Sequence, residues 1–230
     1  MALDLQTFKT RALSAVIFVV VMLGAIFYSI DSFIILFLIV HTGCYIEYSK
    51  LIKKTPTIST TQAKVLYNLF GLVYITTSFF AIMHLASAHW VTVLGTTTYY
   101  VLPMLVMVSI WINDTMAYIV GSFIGKTPLS VVSPKKTWEG TIGGALLAVL
   151  AVVLLGRSLT GLSYQTLIIV SATSAIMGTV GDLIQSKFKR MASVKDSGNI
   201  MPGHGGFFDR FDSLLLAGPS VSLLLTLFTQ

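Results

Sequence analysis

"YYVLPMLVMVSIWINDTMAYIVGSFI" (residues 99–124) carries one charged residue, Asp114, in an otherwise apolar run. A run of roughly 20 apolar residues matches the hydrocarbon thickness of a bilayer. Unpaired peptide groups are costly in hydrocarbon, so such a run must be helical, and the alternating pattern of a membrane barrel is absent. Working outward, six further apolar stretches have comparable character: 12–30, 32–49, 65–86, 141–156, 163–185 and 213–229. The expectation is an all-α, polytopic integral membrane helical bundle of about seven transmembrane helices, forming one membrane-embedded domain over residues 1–230. Composition agrees: 55% of residues are hydrophobic and 10% charged, against about 25% charged in soluble domains. The segment 86–98 is read as a connection that dips into the interface.

Cys44 is the only cysteine, which excludes an intrachain disulfide and a thiolate metal cluster. The first stretch follows Lys9 and Arg11 but lacks a small-x-small cleavage site, so it reads as a retained helix. Lysine and arginine then give the orientation. Lys9 and Arg11 precede the first helix, and Lys50, Lys53, Lys54 and Lys64 fall in the second connection. Lys126, Lys135 and Lys136 fall in the fourth, and Lys187, Lys189, Arg190, Lys195 and Arg210 in the sixth; only Arg157 lies in an odd-numbered one. By the positive-inside rule the amino terminus is cytoplasmic. Topology therefore accounts for most of the net charge of +6, and no nucleic-acid partner is needed.

The acids are where chemistry is expected. Asp114 lies within the fourth span and Asp182 near the end of the sixth, and carboxylates at such depths are costly unless paired, hydrated or cation-bound. Asp209 and Asp212 are three apart at the start of the last helix, a spacing that brings both to one face of its first turn. Together they can hold a divalent cation through oxygen; a helix cap and a dipole interaction are the plainer alternative. "PGHGG" (residues 202–206) can turn sharply and expose N–H groups before a helix, so Gly205 and Gly206 read as a phosphate cradle. His204 reads equally as a phosphate donor or proton relay and as a structural residue. Lys135 and Lys136 stand within "SPKKTWEG" (residues 133–140), a loop entering the fifth helix, where Gly140 and Gly144 allow close helix approach. No Ser-His-Asp or Cys-His arrangement emerges. Acids for a cation beside bases for phosphates suit phosphoryl or nucleotidyl transfer, which needs positioning and charge neutralisation more than covalent chemistry.

"SKFKRMASVKDSGNIMPGHGGFFDRFD" (residues 186–212) resembles the signature of the phosphatidate cytidylyltransferases, the CDP-diacylglycerol synthases, at nearly every defining position. "NDTMAYIVGSFIGK" (residues 113–126), "SPKKTWEG" and "KTRALSA" (residues 9–15) are similar to other stretches of that family. The resemblance implies an enzyme joining CTP to phosphatidic acid at the cytoplasmic face of a bacterial-type inner (cell) membrane, giving CDP-diacylglycerol and pyrophosphate with Mg²⁺; whether a second cation binds stays open. It assigns the metal to Asp182, Asp209 and Asp212, with Asp196 in support. It assigns CTP or lipid phosphate to Ser133, Lys135, Lys136, Ser186, Lys187, Lys189, Arg190, Lys195, His204 and Arg210, and Asp114 joins the substrate site. Homodimerisation stays open. Two departures stand out: Ser122 replaces an arginine common in the family, and the chain is short for it. A CTP-dependent lipid-alcohol kinase, with His204 or Asp196 as base, and an ion or metabolite transporter using Asp114 and Asp182 remain as alternatives.

Overall fold

Apolar length dictates the elements, and polar side chains mark their ends. A computed structural model of the chain describes residues 5–87, 92–93, 96–200 and 205–228. Helices α1 (Leu5–Tyr28) and α2 (Ile30–Lys54) are separated by Ser29 alone. Ser29 accepts from the Ser32 N–H and Ser32 answers to the Ser29 N–H, a reciprocal cap that satisfies two orphan donors in a sharp reversal. Next come α3 (Thr61–Ser87), α4 (Val101–Ile124), α5 (Trp138–Thr160), α6 (Tyr164–Met191), α7 (Phe207–Phe211) and α8 (Leu214–Phe228). Six spans among the described residues are long and apolar enough to cross a membrane: α2 to α6, and α7 with α8 taken together. The helical bundle expected from the sequence is what forms, and the chain is an integral membrane protein.

Two short hairpins were not anticipated. Strands β1 (Thr92–Val93) and β2 (Thr96–Thr97) pair antiparallel in the segment read as interfacial. Strands β3 (Pro128–Ser130) and β4 (Ser133–Thr137) pair across a register irregularity, so the loop before α5 is an ordered ribbon. Its hairpin signal is hidden in sequence because Pro128 and Pro134 stand in the strands, where proline is confined to edges.

The chain packs into two compact units, each interleaved in sequence. The first comprises residues 1–79 and 188–211, the second 80–187 and 212–230. In the first, Tyr48 is the buried centre: its hydroxyl donates to the Tyr67 carbonyl at 2.8 Å, and its ring meets those of Phe188 and Phe208 edge-on. Gly71 makes room for it, since a Cβ there would fall 2.0 Å from the ring. In the second, α4 and α5 meet along a seam of small residues. A Cβ on Gly140 would lie 2.6 Å from the Ala117 carbonyl, and one on Gly144 2.7 Å from the Ala117 nitrogen. Such close backbone approach is how membrane helices pack without a hydrophobic driving force. Gly181 of α6 likewise lies against the Asp212 carbonyl, 2.6 Å from where a Cβ would stand.

Candidate active site

In the second unit the α4–α5 seam brings Asn113 and Asp114 beside the β3–β4 ribbon. The ribbon is clamped at its base. Trp138 N–H donates to the Thr127 carbonyl at 3.0 Å, and the Glu139 carboxylate accepts from the Lys126 and Thr127 N–H groups at 3.2 Å. Thr137 accepts from the Gly140 N–H at 3.1 Å and so caps α5. These bonds hold Ser133, Lys135 and Lys136 over a cavity of about 640 Å³ that Asp114 and Asp182 also line. Lys136 is ion-paired with Asp182, and Ser186 donates to Asp182 from one helical turn on, at 3.2 Å. Asn113 is buried at the same cavity: its amide nitrogen lies 3.4 Å from both Asp114 Oδ1 and Thr179 Oγ1, and its Oδ1 has no hydrogen-bond partner among the described residues. Such an acceptor costs free energy unless something donates or ligates there. Because Gly181 abuts the Asp212 carbonyl, α6 brings Asp182 and residue 212 into one neighbourhood.

In the first unit a different acidic arrangement organises the signature loop. Asp209 Oδ1 takes Lys189 Nζ at 2.9 Å. Its Oδ2 accepts from the N–H groups of Ser197, at 2.7 Å, and Gly206, at 3.0 Å, with the Ser197 hydroxyl 2.9 Å away. Glu47, on α2, reaches the same loop. Its carboxylate accepts from the N–H groups of Phe207 and Phe208 at 3.0 Å and from the Ser197 hydroxyl at 2.6 Å. Glu47 is buried, 7% exposed, and its desolvation is offset by three donors.

This arrangement revises two expectations. Gly205 and Gly206 were read as a phosphate cradle, but the Gly206 N–H, with those of Phe207 and Phe208 after it, already serves the chain's own carboxylates. The glycines are needed for that approach: a Cβ on Gly206 would stand 2.1 Å from Glu47 Oε2, and Gly205 has φ +82 with Asp209 Oδ2 2.6 Å from its ideal Cβ. Asp209 and Asp212 also do not share one helical turn, because α7 ends at Phe211 and residues 212–213 form a turn before α8. Asp212 Oδ1 accepts from the Ser213 N–H at 2.7 Å.

Of the remaining expected residues, Lys187, Lys195, Asp196 and Arg210 are exposed, and Arg190 donates to the Val194 carbonyl at 3.1 Å. His204, with Met201, Pro202 and Gly203, lies outside the described residues. Glu47 went unnoticed in the sequence although the rule that exposes Asp114, a carboxylate within an apolar span, applies to it equally.

Among the described residues no three His, Cys, Asp or Glu side chains gather into a metal cluster. Mg²⁺ does not require one, since it commonly takes one or two carboxylates and completes its shell with water and phosphate oxygens. The acids expected to hold it are oxygen donors of the right hardness, and Asp182 and Asp209 each carry a lysine as counter-charge. The donor set fits the ion.

A sequence model described as the cytidylyltransferase family matches residues 58–228. The chain is 45% identical over 118 residues to a phosphatidate cytidylyltransferase of Staphylococcus haemolyticus, covering 50% of this chain and 45% of that protein. It is 44% identical over 124 residues to a phosphatidate cytidylyltransferase of Bacillus subtilis, covering 53% and 46%. A chloroplastic phosphatidate cytidylyltransferase 5 of Arabidopsis thaliana is 38% identical over 134 residues, covering 56% and 34%. The matches thus span under half the length of these relatives. With 171 of its 230 residues inside the family match, this integral membrane protein belongs to the cytidylyltransferase family.

Proposed function

We propose that the protein is a phosphatidate cytidylyltransferase, transferring CMP from CTP to phosphatidic acid and releasing pyrophosphate. One observation carries the reading: Lys135 and Lys136 line the same cavity as Asp114 and Asp182, in a chain of this family. Both substrates are anions, so the obstacle to reaction is their mutual repulsion. A phosphate monoester is largely dianionic near pH 7, its second pKa being about 6. One of its oxygens attacks the α-phosphorus of CTP, the bond from that phosphorus to the β-bridging oxygen breaks, and pyrophosphate leaves with the electron pair. No general base is required.

The chain's part is to bind and orient. Lys135 and Lys136 receive phosphate oxygens, and the clamp at Thr127, Trp138 and Glu139 keeps their ribbon from drifting. Lys187, Lys189, Arg190, Lys195 and Arg210 supply further positive charge for phosphates. Mg²⁺, held through Asp182 and Asp212 or through Asp209, would supply charge neutralisation to the triphosphate. The cations of the even-numbered connections favour a cytoplasmic active site and amino terminus.

The test is purified protein in mixed micelles with CTP, phosphatidic acid and Mg²⁺, followed by extraction and identification of the lipid. CDP-diacylglycerol is expected, with turnover lost when the divalent cation is chelated. A lipid-alcohol phosphate formed from an added polyprenol, with phosphatidic acid left unconsumed, would overturn the reading.

A further inference from the structure

Glu47 lies before residue 58, where the family match begins, yet it makes more hydrogen bonds to the signature loop than any single base of that loop makes in the described residues. Its two oxygens take the first N–H groups of α7, from Phe207 and Phe208, while Ser197 donates from the loop's other arm. Two glycines are shaped around it. A Cβ on Gly198 would fall 2.3 Å from Glu47 Oε1, and one on Gly206 2.1 Å from Oε2. The loop is thus gripped from both sides by a side chain 150 residues away from Ser197 in sequence.

We infer that Glu47 is a positioning residue for the transferase reaction: it fixes the arms of the loop that carry Lys195, Asp196, Asp209 and Arg210. Three points support a role beyond packing. An apolar residue of similar volume would fill the same space, but it would orphan the buried Phe208 N–H and the half-buried Phe207 N–H, so the site asks for an anion. Glu47 and Asp209 converge on one hydroxyl, that of Ser197, at 2.6 and 2.9 Å. Displacing Glu47 therefore alters the hydrogen bonding of Asp209 directly. Finally, all three of its donors belong to the loop, so whatever Glu47 does for the reaction it does through the loop's arms.

The inference rests on the proposed activity for its kinetic arm and on nothing but the fold for its structural arm. The probe is Glu47→Gln in the full-length protein, which keeps size and one acceptor but presents an NH₂ to one of the two N–H groups. Gly206→Ala is the second variant; it pushes the carboxylate away with Glu47 still present. Amide hydrogen exchange should rise at residues 205–208 in both variants while α3 and α5 keep the parent's protection. CDP-lipid formation should fall about 100-fold in kcat, the loss a misplacement near 1 Å brings, with KM for CTP within about twofold of the parent. Combined with Glu47→Ala, the Gly206→Ala change should cost far less than alone, because its clash is gone.

Unaltered exchange in both variants, unaltered kcat in both, or loss of protection across every helix would each overturn the inference. An unaltered parent protein that makes no CDP-lipid would instead defeat the proposed activity; the exchange and coupling measurements would then still decide whether Glu47 holds the loop.

Discussion

Each acid expected to hold a cation in a described side-chain pair has a lysine on it: Lys136 on Asp182 and Lys189 on Asp209. Asp209 is the more enclosed, its side chain 5% exposed against 25% for Asp182. Replacing either by asparagine removes a charge while preserving shape. Asp182→Asn should lower CDP-lipid formation by about 100-fold or more, the scale of losing one electrostatic group from a transition state. The same protein should keep its helical circular dichroism and elution volume, and activity within twofold of the parent would remove Asp182 from the mechanism. Gly205 poses a different residue-scale test. At φ +82, with Asp209 Oδ2 beside its ideal Cβ, Gly205→Ala carries a left-handed penalty of about 1–2 kcal/mol and a collision besides. A lowered thermal midpoint in detergent is expected.

At the scale of elements, legibility followed the physics that shapes each one. The spans could be read because hydrocarbon thickness sets a length and forbids unpaired peptide groups, and residues 99–124 met both conditions almost to the residue. Gly140 and Gly144 could be read as a contact face because four-residue spacing puts small residues on one side of a helix. The β3–β4 ribbon could not, since its prolines and paired lysines argue locally against strand, and its order comes from Glu139 and Thr127 bonds that sequence does not announce. The break after Phe211 was equally hidden, because Asp209 and Asp212 stand at a spacing that reads as one helical turn. As to the site, Asp114, Asp182 and the two lysines, singled out in the sequence, line one cavity, but the partners that Asp209 and the glycines find depend on Glu47, which local pattern cannot supply. The α4–α5 seam makes a prediction of its own. Gly144→Val puts three carbons where the first already stands 2.7 Å from the Ala117 nitrogen. Overpacking typically costs 1–3 kcal/mol, so the variant should melt lower and, by spreading the wall that carries Asn113 and Asp114, raise KM for CTP. An unchanged melting point would contradict the tight seam.

For the whole molecule, the claim is one of sidedness and of meeting anions. Lys53 and Lys126 fall in even-numbered connections and Arg157 in an odd one, so single cysteines at 53 and 126 in a Cys44→Ser background should be labelled by a membrane-impermeant thiol reagent only from the cytoplasmic side. A cysteine at Arg157 should be labelled only from the other; the reverse pattern would invert the proposed topology. The most direct measurement follows the label of CTP itself. With phosphatidic acid and Mg²⁺ present, label at the α-phosphorus should enter the lipid fraction while label at the γ-phosphorus should leave entirely as pyrophosphate. Transfer of γ-label into lipid, with CDP as the released nucleotide, would contradict the account.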